Sequence, residues 1–89
     1  AAEYELYVAR FYYNKGSYGA AINRLEGILT ASPQSAVEAE VLYYLASSHE
    51  NLKDTAKAKY YYSQLIEKYP KEEAKFNASS RLNKLNAKK

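Results

Sequence analysis

Tyr7-Val8-Ala9-Arg10-Phe11-Tyr12-Tyr13-Asn14-Lys15-Gly16-Ser17-Tyr18-Gly19-Ala20-Ala21 and, 37 residues further on, Tyr44-Leu45-Ala46-Ser47-Ser48-His49-Glu50-Asn51-Leu52-Lys53-Asp54-Thr55-Ala56-Lys57-Ala58 read as two copies of one pattern. The shift pairs Tyr7 with Tyr44, Ala9 with Ala46, Asn14 with Asn51 and Ala21 with Ala58, and extends outward to Glu3 with Glu40 and Pro33 with Pro70. Val8 with Leu45, Ile28 with Leu65, Leu29 with Ile66 and Ser17 with Asp54 match in kind. Small and apolar positions repeated at a fixed period are the mark of a stacked unit, each burying a face against the next. The expected organisation is therefore two repeats in residues 1–70 (1–33 and 34–70), followed by a capping helix and basic tail in 71–89.

Within each copy the spacing predicts a helix pair. Tyr4, Val8, Ala9 and Tyr12 recur on one helical face, and Asn14-Lys15-Gly16 ends that run. Ser17 stands as the N-cap of a second helix whose stripe is Tyr18, Ala21, Leu25, Ile28 and Leu29, stopped by Pro33. Ser35 and Glu38 have capping-box spacing for a third helix with the stripe Leu42, Leu45, Ala46 and His49. Asp54 caps a fourth, with Ala58, Tyr62, Leu65, Ile66 and Tyr69 inward. Beyond Pro70, the positions Ala74, Ala78, Leu82 and Leu85 put one apolar face on a fifth, mostly polar helix, the pattern of a terminal cap. The fold class is all-α: tandem helical hairpins with a C-terminal capping helix.

Composition narrows the chemistry. The 89 residues hold no Cys, so there is no disulfide framework or thiolate metal site, and a single His rules out a multi-His site. No apolar run reaches the ~20 residues of a membrane span, and no cationic, apolar leader opens the chain. The opening Ala suits a processed or cut product. No cofactor motif is present, and no nucleophile–base pairing, phosphate loop or supported carboxylate pair points to an enzyme. His49, on an apolar stripe, reads as a core or edge histidine, and Glu72-Glu73 as first-turn acids favoured by the helix dipole. The net charge of +3 is uneven: residues 1–52 carry three basic groups against six Glu, and residues 53–89 carry ten against four acids. Such segregation suits recognition along a surface.

The succession Ala9, Tyr12, Gly16, Tyr18, Ala21, Leu25 and Pro33 is the tetratricopeptide pattern, with a looser second copy in which His49, Lys53 and Thr55 occupy middle positions. The stretch Leu6 to Tyr18, running on through Ala20-Ala21-Ile22-Asn23-Arg24-Leu25-Glu26-Gly27-Ile28-Leu29, further resembles the C-terminal repeats of the BamD family, tetratricopeptide lipoproteins of the outer-membrane β-barrel assembly machinery. The resemblance covers roughly residues 4–70 and is carried mainly by 6–33. It implies a non-catalytic scaffold on the periplasmic face of the bacterial outer membrane. That scaffold would dock a POTRA domain of BamA and belong to a parent protein with a leader, a lipid-bearing Cys and earlier repeats. Asn23, Arg24 and Gly27 match the family's docking segment, in which the Arg contacts the POTRA domain.

Read from the residues alone, Arg24 lies off the Ala21/Leu25/Ile28 stripe, where its planar guanidinium is expected in solvent on the outer face. There it could take a carboxylate bidentately or stand as an ordinary surface charge. Gly27 costs ~1 kcal/mol against Ala inside a helix, which suits either a close approach to the backbone or relief of internal packing. The inner face of the first helices, where Glu3, Leu6, Glu40 and Glu50 also fall, offers Arg10, Tyr13, Asn14, Tyr43, Ser47 and Asn51 as a possible peptide groove, the basis of a generic tetratricopeptide adaptor. Asn14 and Asn51 could equally close their helices in the left-handed conformation. Lys71, Lys75, Arg81, Lys84, Lys88 and Lys89 could meet an anionic membrane or nucleic acid, or simply solvate the capping helix.

Overall fold

The computed structural model describes residues 1–87. Four helices of near-equal length form two antiparallel hairpins: α1 (Ala2–Asn14) with α2 (Tyr18–Ala31), and α3 (Glu38–Asn51) with α4 (Thr55–Lys68). A 3-10 turn at Pro70–Glu72 leads to the one-turn α5 (Glu73–Phe76) and to α6 (Ala78–Ala87). The second helix of the first hairpin packs on the first helix of the second, and α6 packs on α4. No described residue lies in a strand.

The repeated residues produce repeated backbone. Gly16 ends α1 at φ 81°, with its N–H on the Tyr13 carbonyl at 3.0 Å and the Ser17 N–H on the Tyr12 carbonyl at 2.9 Å. Its counterpart Lys53 ends α3 at φ 66°, with Lys53 N–H on Glu50 (3.0 Å) and Asp54 N–H on His49 (2.9 Å). The same left-handed stop is thus built once with glycine and once against the steric preference of a side chain. The second helices end alike: Ser32 at φ −137°, ψ 63° and Tyr69 at φ −131°, ψ 60°, each just before the proline that denies it helical backbone.

Two apolar clusters fill the hairpins. Leu6, Ala9, Ala21, Ile22, Leu25 and Ile28 join Val41 and Leu45 in the first; Leu42, Ala46, Ala58, Tyr62 and Leu65 join Ala78 and Leu85 in the second. Ala9, Ala21, Ala46 and Ala58 are wholly buried, as helices at close range require. Leu29 and Tyr61 border both clusters, so the two hairpins share one wall.

Four local expectations are corrected. The buried stripe of α1 is rotated: Leu6 and Ala9 are its buried residues, while Tyr4 is 62% exposed, because α2 and α3 cover the Leu6/Ala9/Tyr13 side. The capping box does not form; the Ser35 hydroxyl has no partner. The Glu38 carboxylate accepts instead from the Gln34 N–H (2.6 Å), which the left-handed turn at Gln34 aims at it, and from the Tyr69 hydroxyl (2.9 Å). The Ser17 side chain makes no cap bond, whereas Asp54 accepts from the Lys57 N–H at 3.3 Å. The tail is not one helix: Asn77, at φ 55°, breaks it, leaving Ala74 exposed while Ala78 and Leu85 are buried and Leu82 half-buried. Glu73 caps the far side of that break, its carboxylate accepting from the Ser79 N–H at 3.0 Å.

Candidate functional site

Asn23, Arg24 and Gly27 lie together on α2, as their i, i+1, i+4 spacing requires. With Ala1, with Ala2 and Glu5 of α1, and with Ile28, Ala31 and Ser32 they line an open concavity of about 310 Å³. It sits where the start of α1 meets the end of α2. The floor is bare at Gly27: a Cβ built there meets nothing within 4 Å, so the glycine does not relieve internal packing. It leaves helix backbone open to whatever enters. Arg24 is not a solitary surface charge. Its Nη1 donates to Glu5 Oε1 at 3.3 Å, both side chains being about half exposed (46% and 42%). That contact uses one of five N–H donors, so the guanidinium is oriented toward the concavity with donors in reserve.

The supposed peptide groove is largely occupied by the molecule itself. Ser47 is buried, sharing a 2.6 Å hydrogen bond with the Tyr13 hydroxyl across the hairpins. Asn51 Nδ2 donates to the Ser47 carbonyl of its own helix at 2.8 Å. Neither Asn14 nor Asn51 is a left-handed helix end; Gly16 and Lys53 take that role. Arg10 pairs with Glu40 at 3.6 Å. Tyr43 stacks on Phe76 of α5 (5.1 Å between centroids, 22°), the last rung of a ladder running from Tyr18 through Tyr13, Tyr44 and Tyr43. Asn14 alone of the six stands exposed without such a tie.

His49 is buried, stacked on Tyr61 (5.7 Å, 13°), with Nδ1 3.7 Å from Asp54 Oδ2 and Nε2 without a partner. Burial holds its pKa below the usual histidine value, against the opposing pull of Asp54. Among the described residues no His/Asp/Glu cluster could hold a metal ion.

The sequence reading missed one cluster. Arg81, placed there in a basic tail, reaches back from α6: its Nε donates to the Tyr62 hydroxyl at 2.8 Å and its Nη2 to Glu50 Oε1 at 3.2 Å. The Tyr62 hydroxyl itself donates to Glu50 at 2.8 Å. Burial and the Glu50 carboxylate push the Tyr62 pKa far above the ordinary phenol range. The partners are 12, 19 and 31 residues apart, so no local spacing announced them. Lys88 and Lys89 of the supposed tail lie outside the described residues.

A tetratricopeptide repeat family model matches residues 40–72, which run from the first turn of α3 through α4 to the 3-10 turn. The match falls on the copy whose motif positions are looser, not on the first. No curated protein and no solved structure matches the chain. The second hairpin is thus supported as a tetratricopeptide repeat, inside an all-α array whose first hairpin repeats its geometry turn for turn.

Proposed function

We propose that this chain is a non-catalytic scaffold for protein–protein interaction, corresponding to the C-terminal part of a BamD-like component of the outer-membrane β-barrel assembly machinery. In this reading the Asn23/Arg24/Gly27 concavity docks a POTRA domain of BamA, on the periplasmic face of the outer membrane. The carrying observation is that the three residues singled out by the resemblance line one open concavity, with an oriented guanidinium beside uncovered helix backbone. Those are the elements a carboxylate-bearing loop needs: bidentate capture by Arg, and close approach at Gly. Tetratricopeptide repeats are typically interaction modules, which supports the coarser part. The adaptor alternative is weakened by the internal ties of Tyr13, Tyr43, Ser47 and Asn51, and the basic-module alternative by the engagement of Arg81 with Glu50 and Tyr62.

Binding of the purified membrane-proximal POTRA domain, measured by calorimetry, tests the proposal. Arg24→Glu is expected to abolish binding with an unchanged circular-dichroism spectrum. Glu5→Gln, which removes only the internal partner of Arg24, is expected to leave binding intact or tighter. Unchanged affinity for Arg24→Glu would sink the docking assignment.

A further inference from the structure

The 37-residue equivalence carries Ala1, Glu5, Asn23, Arg24, Gly27 and Ala31 of the first concavity onto Glu38, Leu42, Tyr60, Tyr61, Gln64 and Lys68. All six of the latter line a second concavity, of about 210 Å³, completed by Leu29 of α2 and by Pro33 and Gln34 of the linker. The same place is thus hollow in both hairpins, with opposite chemistry. The first sets a cation, Arg24, among small residues; the second sets a carboxylate, Glu38, beside tyrosine rings.

The Glu38 side chain is only 5% exposed. Both groups hydrogen-bonded to it are donors: the Gln34 N–H to Oε1 and the Tyr69 hydroxyl to Oε2. Glu38 is also the first residue of α3, where the helix dipole favours an anion, so the group is held as a carboxylate. Those two bonds fill about half of a carboxylate's roughly four acceptor sites and leave capacity on each oxygen. The cation paired with it among the described residues is Lys68, whose Nζ stays 3.7 Å from Oε2 on a side chain 52% exposed. That pair is loose, and a buried charge so weakly matched leaves its desolvation poorly offset. At the mouth, the Tyr60 ring is 57% exposed and meets Tyr61 edge to face (5.1 Å, 77°).

We infer that this second concavity takes an arginine side chain of a protein partner, whose guanidinium displaces Lys68 from Glu38 and lies against the Tyr60 ring. A planar fork can bond both carboxylate oxygens at once, which a point-like ammonium such as that of Lys68 does not. Tyrosine rings attract a cation through their faces, and Leu29 and Leu42 suit the methylene stem behind it. Ala31 and Ser32 line the first concavity and Pro33 and Gln34 the second, so one partner surface can reach both. That a protein carries the arginine rests on the scaffold reading above; the preference for a guanidinium rests on the pocket alone.

The Gln34 amide, bonded to Glu38 at 2.6 Å, is a built-in reporter for nuclear magnetic resonance titration. Acetyl-arginine-methylamide is expected to shift it saturably, the neutral citrulline counterpart to leave it in place, and acetyl-lysine-methylamide to bind more weakly. Lys68→Ala should tighten arginine binding by about threefold, since it removes the internal competitor. Tyr60→Ala should weaken it by about threefold, and Glu38→Gln should abolish it. Should Glu38→Gln fail to fold, the other two variants and the citrulline control decide. An equal shift from citrulline, or no saturable shift even in Lys68→Ala, overturns the proposal, as does weaker binding in Lys68→Ala. Tetramethylammonium saturating at a lower concentration than the blocked arginine would make this a site for a small quaternary cation and also overturn it. The titration uses no POTRA domain, so its failure leaves docking at Arg24 standing, and failure of that docking leaves the guanidinium site standing.

Discussion

Lys53 sits at φ 66° where the first hairpin uses Gly16 at φ 81°. A side chain in left-handed backbone costs roughly 1 kcal/mol, so Lys53→Gly is expected to stabilise the fold by about 0.5–1 kcal/mol in urea denaturation, while Gly16→Ala destabilises it by a similar amount. Leu25 is wholly buried in the first cluster, and Leu25→Ala should cost ~2–5 kcal/mol. A melting curve unchanged by that substitution would remove Leu25 from the core. His49 gives a pH dependence of definite sign. Its folded pKa lies below the unfolded value because burial disfavours the imidazolium. The unfolded chain therefore binds the proton first, and stability is full above about pH 6.5 and falls as pH drops below it. His49→Phe, which keeps a ring against Tyr61, is expected to flatten the stability profile between about pH 7.5 and 5.5.

At the scale of elements, α6 is held to the second hairpin by two kinds of contact. Ala78 and Leu85 bury apolar surface against α4, and Arg81 closes a triangle with Tyr62 and Glu50. Removing Arg81 leaves a partly buried carboxylate without its cation, whereas removing the Tyr62 hydroxyl leaves the Arg81–Glu50 contact in place. Arg81→Met is thus expected to destabilise by ~1–3 kcal/mol and to speed hydrogen exchange in α6. Tyr62→Phe should cost less, about 1 kcal/mol. Equal effects from the two substitutions would show that Arg81 acts through Tyr62 alone. The break at Asn77 belongs here too: it turns α6 back onto α4 and lets Phe76 stack on Tyr43, closing part of the inner face to ligands.

For the molecule as a whole, the shared wall of Leu29 and Tyr61 couples the hairpins, so the chain should unfold in one transition by circular dichroism and tyrosine fluorescence alike. Two separate transitions would show hairpins of independent stability. The molecule then presents two faces of different chemistry: a concavity that sets the Arg24 guanidinium among small apolar residues, and an aromatic stripe along α1. The side-chain bond of Arg24 goes to Glu5 and not to Tyr7, so substitutions at Arg24 and at Tyr7 are expected to add in a stability measurement.

What could be read along the chain was whatever repeats or lies within a turn. The duplicated alanines, the glycine stop, the prolines and the Asp54 cap act on their own neighbourhoods, and so the four helices of the two hairpins and their order were legible from spacing, whereas the break at Asn77 was not. Which side of α1 is buried was not, because both its faces are rich in apolar residues and only the positions of α2 and α3 choose between them. The pairing of Arg24 with Glu5, the seclusion of Ser47 and the Arg81–Tyr62–Glu50 triangle join residues on different helices. Periodicity fixes the direction of a side chain relative to its own helix axis; which partner it meets depends on how the helices cross, and that is settled only when their buried faces pack together.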